Sequence, residues 1–219
     1  MNIIRHELGS RERLLNILRE VRLKGTFNGI ERPYVYQNAK LQLQWYSPVG
    51  IEEFLYPPQR YVLKPTVDSI LELEKVFDQL GVDIFGLQGA LYFWLEGMDP
   101  EKDEPIPFLP PIVEESEEPG EHMVFLVNDG MHRIWAARKV GRGINIVLVQ
   151  DVPPEYPYYA YAIMERWKNI VEFKELPDVF EKKAYRNPTN YKSLFRDFNE
   201  VFPGVQKDRK QSNPSHIKQ

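Results

Sequence analysis

Apolar positions recur along the chain with two distinct periods. Leu14, Leu15, Ile17, Leu18 and Val21 fall at helical spacing, which predicts an amphipathic helix over 10–24. Ser10 is its N-cap candidate and Gly25 its stop. Ile70, Leu73, Val76, Phe77 and Leu80 form a second stripe and predict a helix over 66–80, closed by Gly81. Partial alternation in Tyr34-Val35-Tyr36 and in 41–46 predicts strands, with Lys40 between them at a turn and Pro48-Val49-Gly50 ending the pattern. Residues 84–97 are strongly apolar and read as a short buried helix or a covering segment. Phe108 to Val113 reads as the start of a strand, and 114–121 as a polar loop.

The clearest unit follows. Residues 122–127 form an apolar run of strand length, and Asn128-Asp129-Gly130 is a turn signal. His132 to Val140 reads as a helix, stopped by Gly141 and Gly143, and 144–149 as another buried strand. After Pro153-Pro154 three helical patterns are predicted, over 158–166, 177–183 and 192–202. The whole is an α/β fold: a small mixed sheet with flanking helices, an N-terminal helix and a helical C-terminal extension.

Composition narrows the function classes. The 219 residues bury a sizeable core, and 42% hydrophobic with 27% charged content is ordinary for a globular chain. Eighteen prolines imply many loops and short elements. No apolar run reaches membrane-spanning length and the N-terminus lacks a secretory core, so no membrane partner and a cytoplasmic location are expected. The absence of cysteine removes disulfides, thiolate ligands and thiol nucleophiles. Four scattered histidines make no zinc pattern, and no metal-binding carboxylate cluster stands out. A net charge of −4 disfavours tight nucleic-acid binding. Lys207, Arg209 and Lys210 belong to a terminal stretch read as a solvated tail.

Chemistry converges on residues 128–133. A helix starting there would present free backbone N–H groups, which attract anions. Gly130 permits a positive φ and close approach of a ligand. Arg133 carries a planar donor fork suited to phosphate. His132 can donate a hydrogen bond or move a proton. Asp129 can orient a hydroxyl, act as a base or hold a metal through water. The plain alternative is a common turn, with Asp129 capping the helix that Arg133 continues.

The run Val127-Asn128-Asp129-Gly130-Met131-His132-Arg133-Ile134-Trp135-Ala136-Ala137, with Gly141 and the strand after it, resembles the ParB/sulfiredoxin superfamily. Pro57-Pro58-Gln59-Arg60 before the 66–80 helix, and Phe108 to Val113, match the order of the family's earlier pieces. The resemblance covers about residues 50–150, with a long insertion at 81–107. It divides the chain into a 1–50 N-terminal element, a 51–152 core domain, a 153–205 extension and a 206–219 tail. It implies that Asn128, Gly130, Met131, His132 and Arg133 hold nucleotide phosphates, with Arg60 as a further clamp or a surface arginine.

Departures from the pattern sort the subfamilies. Met131 occupies the position of the sulfiredoxin cysteine, which removes sulfinic-acid reduction. The 155–202 region lacks a clear basic recognition helix, against centromere binding. The turn is similar to that of the free serine kinases, yet their base, a Glu after the first-motif proline, aligns with Gln59, which cannot take a proton. Glu52 and Glu53 lie nearby in sequence. The resemblance thus implies a phosphotransferase that uses ATP or ADP with Mg²⁺ on a small hydroxylated molecule, with Asp129 and His132 in catalytic roles. The alternative is a non-catalytic nucleotide-gated or nucleic-acid-interacting module. Arg138 reads as a solvated helix residue, Trp135 as core, and Tyr156, Tyr158, Tyr159 and Tyr161 as a cluster that packs on the sheet or lines a pocket.

Overall fold

The structure, a computed structural model, describes residues 1–27, 29–120, 122–178 and 180–203. The predicted tail therefore lies outside the described residues.

Five strands make the main sheet: β4 (Lys40–Tyr46), β5 (Leu55–Tyr56), β9 (Ile112–Glu118), β10 (His122–Asp129) and β11 (Ile144–Gln150). Their order is β4-β11-β9-β10-β5. The β4/β11 and β9/β10 pairs are antiparallel, whereas β11/β9 and β10/β5 are parallel. The predicted mixed sheet is therefore present, and its edge strand β4 comes from the 1–50 segment.

Side chains alternate across this sheet and build a core on each face. On β11, Ile144, Ile146 and Leu148 enter one core, while Val147 and Val149 enter the other. Each fully buried aliphatic side chain contributes roughly 1.5–3 kcal/mol of transfer free energy. The first core is covered by α2 (Pro48–Phe54), α3 (Lys64–Gln79) and α4 (Met131–Lys139), with Trp167. The second is covered by α1 (Arg11–Arg19) and by residues 156–202, and the short strands β2 (Thr26–Phe27) and β3 (Ile30–Glu31) pair antiparallel after α1.

The helix predictions hold at the elements that matter for the site. Ser10 Oγ accepts from the Arg13 amide at 3.1 Å, as expected of the α1 N-cap. Both α3 and α4 begin within two residues of their predicted starts.

Four regions differ from expectation. Residues 34–36 make one isolated bridge, Arg22 to Tyr34, rather than a strand, and Lys40 opens β4 instead of turning the chain. Residues 91–95 of the apolar segment form strand β7 (Leu91–Leu95), which pairs between β1 (Ile3–Leu8) and β8 (Ile106–Phe108) in a separate three-stranded sheet. The 81–107 insertion thus gives its strand to the N-terminal segment. Residues 114–118, predicted as loop, continue β9. The C-terminal extension holds less helix than its periodicity predicts. It has 3₁₀ turns at Arg166–Asn169 and Tyr191–Leu194, strand β12 (Val171–Phe173) beside β6 (Tyr61–Leu63), and the short α5 (Phe198–Val201). The segments 158–163 and, where described, 177–183 are not helical. Prolines and clustered aromatics there are satisfied by stacking rather than by a helix ladder: Tyr185 and Tyr191 stack at 3.9 Å, and Tyr159 meets Phe195 at 4.5 Å.

Candidate functional site

The turn sits where β10 ends and α4 begins. Gly130 is the α4 N-cap at φ 91°, ψ 20°, the left-handed region that disfavours residues with a Cβ. A Cβ there would lie 2.8 Å from Pro111 Cα and Cβ, so the close approach also demands glycine. Gly130 offers no side chain to cap the first α4 amides.

Arg133 folds back over this turn. Its Nη2 donates to Asp129 Oδ2, its Nη1 donates to the Leu109 carbonyl, and its guanidinium lies 5.6 Å from the Phe108 ring centroid. The pair is largely buried, with side-chain exposures of 13% for Arg133 and 15% for Asp129. The fork therefore locks the Leu109-Pro110-Pro111 connection onto the turn.

His132 points the other way. Its Nε2 accepts from the Leu63 amide at 2.9 Å. Leu63 is the α3 N-cap and brings no side-chain cap of its own. An accepting Nε2 puts the ring proton on Nδ1 of a neutral imidazole. His132 thereby ties the start of α4 to the start of α3.

Met131 is buried in the first core, so only its backbone faces the turn. Asn128 turns toward the opposite core. Its Nδ2 donates to Glu114 Oε1 and, at 2.6 Å, to the Tyr36 hydroxyl. The Tyr36 O–H in turn donates to Glu114 Oε1.

Glu114 is the hub of a buried network that the sequence did not reveal. Arg196 Nε and Nη2 donate to its two oxygens at 2.9 and 2.7 Å, and both side chains are essentially inaccessible to water. The remaining Arg196 donors reach the carbonyls of Tyr156, Pro157 and Leu194. Burial is the largest single effect and works against the charged guanidinium, but Glu114 and Tyr36 together, through charge and hydrogen bonds, outweigh it and hold Arg196 above its ordinary range. Burial first and the Glu114 charge second push the Tyr36 phenol well up, so it stays a donor. Four residues further along β9, Glu118 pairs with Arg186. These two ion pairs fasten the C-terminal segment to the sheet. The sequence does not signal them because 114–118 is uniformly polar, which hides its strand alternation.

Gln59 is buried and its amide donates to the Tyr61 carbonyl at 2.8 Å. Arg60 is half exposed, with Nη2 3.5 Å from Glu165, and adjoins β6. Leu63 of that strand meets His132, which links Arg60 to the turn through β6. Arg138 is not a solvated residue as predicted. It pairs with Glu52 and lies 4.6 and 4.9 Å from the ring centroids of Trp135 and Trp167, because the stacked indoles offer a flat apolar surface to its stem. That pairing also engages Glu52 at the far end of α4. Among the tyrosines, Tyr158 reaches the turn directly: its hydroxyl donates to the Asn128 carbonyl at 3.3 Å.

β10, the turn, α4 and β11 form a strand–turn–helix–strand unit with a left-handed glycine, preceded in the chain by α3 and by the proline-bounded start of β9. The model of the ParB CE domain matches residues 14–171. The chain belongs to the ParB CE domain family. No curated protein matches it. The match to the ParB CE domain takes in the edge strand β4, the main sheet and the 128–133 turn, and stops before Arg186 and Arg196. This ParB CE domain chain carries no helix, among the described residues, long and apolar enough to cross a membrane.

Proposed function

We propose that this ParB-family chain is a binding module for nucleotide phosphates, ATP or ADP with Mg²⁺, at residues 128–133. One observation carries the reading. The α4 amides open at a left-handed glycine without a side-chain cap, beside the Arg133 fork. Such amides and a guanidinium together suit a phosphate. Mg²⁺ would arrive on the nucleotide, since Asp129 already directs one oxygen to Arg133.

Gln59 favours binding over turnover. Its amide lacks a basic lone pair for a substrate proton, and it is spent on the Tyr61 carbonyl. The Asp129 carboxylate at the turn supports a second reading, phosphoryl transfer to a small hydroxylated molecule, in which His132 acts through its hold on the start of α3. Nucleic acid fits less well on a chain of net charge −4.

Calorimetric titration with ATP, ADP, CTP and GTP, each with and without Mg²⁺, tests the reading. At least one nucleotide should bind, and Arg133→Lys should weaken it by about tenfold. Undiminished binding in that variant, or no binding by the wild type, overturns it. Release of ADP from ATP only when a hydroxylated acceptor is present, lost in Asp129→Asn, would establish the second reading instead.

A further inference from the structure

Lys183 lies outside the ParB CE match, yet it stands two hydrogen bonds from the turn. Its ammonium donates to the Tyr158 hydroxyl at 3.0 Å and to the Tyr159 hydroxyl at 2.6 Å. It also lies 4.6 Å from the Tyr159 ring centroid. The Tyr158 O–H passes the chain on to the Asn128 carbonyl at 3.3 Å. Among the described residues, the Lys183 ammonium has no carboxylate within ion-pair distance; both of its hydrogen-bond acceptors are neutral phenols.

A partly buried ammonium held by neutral groups is an incomplete arrangement. Desolvation raises its energy, phenol oxygens and a ring face return only part of it, and a counter-anion completes it. The neighbouring cations of the same segment do not share this condition: Arg186 is matched to Glu118 and Arg196 to Glu114. Burial also keeps the Tyr158 phenol protonated, so its oxygen accepts from Lys183 while its O–H donates to Asn128. The direction of this relay orients the ammonium beside the end of β10.

We propose that Lys183 supplies a second positive charge to a phosphate or pyrophosphate group held at the 128–133 turn. The inference rests on the phosphate reading of that turn. It makes the C-terminal segment part of the binding site, with Tyr158 and Tyr159 as positioning residues for the ammonium.

The test titrates the full chain with inorganic pyrophosphate and with ADP·Mg²⁺, and maps lysine reactivity by reductive methylation with mass spectrometry. Lys183→Met keeps the stem and removes the charge; Lys183→Arg keeps the charge. Lys183→Met should weaken both ligands by about tenfold, Lys183→Arg by less than about threefold, and pyrophosphate should slow methylation at Lys183. Gly130→Ala, or Arg133→Lys should the alanine prevent folding, reports on the turn itself. If the turn variant loses binding while Lys183→Met does not, the turn reading stands and the Lys183 inference falls. If Lys183→Met loses binding and the turn variant does not, the reading of the turn falls and Lys183 serves an anion elsewhere, which overturns the shared site. Failure of the wild type to bind either ligand overturns both.

Discussion

Asn128 donates its side-chain N–H to Glu114, so the residue that opens the turn rests on the same carboxylate that neutralises buried Arg196. The turn is thereby joined through the sheet to a segment almost seventy residues downstream. Removing either charge leaves the other stranded in a water-free site. Arg196→Met and Glu114→Gln should each lower unfolding free energy by about 3–5 kcal/mol. The double variant should lose clearly less than the sum, which a urea-unfolding double-mutant cycle measures. Additive losses would show that the pair is not coupled.

Gly130 should resist substitution for a reason separate from ligand binding. Alanine at φ 91° carries left-handed strain of about 1–2 kcal/mol, and its Cβ would meet Pro111 at 2.8 Å. Gly130→Ala should therefore lower thermal stability in the absence of any ligand, as calorimetry would read. An unchanged melting temperature would mean that the turn relaxes freely.

His132 satisfies a backbone donor at the start of α3. Without its ring nitrogen, the Leu63 amide at the start of α3 loses its partner. His132→Ala should cost about 1–3 kcal/mol. Amide hydrogen exchange at Leu63 should accelerate more than at the centre of α3. Unaltered protection at Leu63 would separate His132 from α3.

Glu172 gives the fold an acid-sensitive contact. The Lys139 ammonium first, and the Trp135 N–H after it, hold its carboxyl below the ordinary value of 4.5. A carboxylate with a lowered folded-state pKa stabilises above its unfolded value, and that contribution disappears as pH falls through the lowered one. Stability should therefore decline in that acid window, by less than about 1 kcal/mol for so partly exposed a pair. Glu172→Gln should flatten this part of the pH profile, measured by denaturant midpoints; an identical profile in both proteins would exclude Glu172.

Periodic patterns were legible wherever an element has one wet side and one dry side. The α1 stripe through Leu14 and Leu18 and the α3 stripe through Ile70, Leu73 and Phe77 were readable on that basis, whereas β10 and β11 were readable as apolar runs bounded by the turn signals at Asn128-Asp129-Gly130 and Gly141 to Gly143. The apolar stretch containing Leu91–Leu95 was ambiguous, since burial on both sides erases periodicity and only pairing with β1 and β8 makes it a strand. Segment 158–166 carried enough apolar residues to suggest a helix, but tyrosine packing and backbone bonds to distant carbonyls took precedence. Ile163, for example, donates its amide to the Pro57 carbonyl.

The sequence by itself determined the chemistry offered at 128–133: a flexible glycine, a guanidinium fork, an imidazole and a carboxylate at one turn. Local spacing suffices for that, because the turn and helix start are set by residues close in the chain. Tertiary structure alone decided what those groups engage. It turned Arg133 onto Asp129 and Leu109, His132 onto Leu63, Asn128 onto Glu114, and brought Lys183 beside Tyr158. The reason is that buried polar groups must find partners, and apart from Asp129, one helical turn from Arg133, those partners lie on strands and loops distant in sequence.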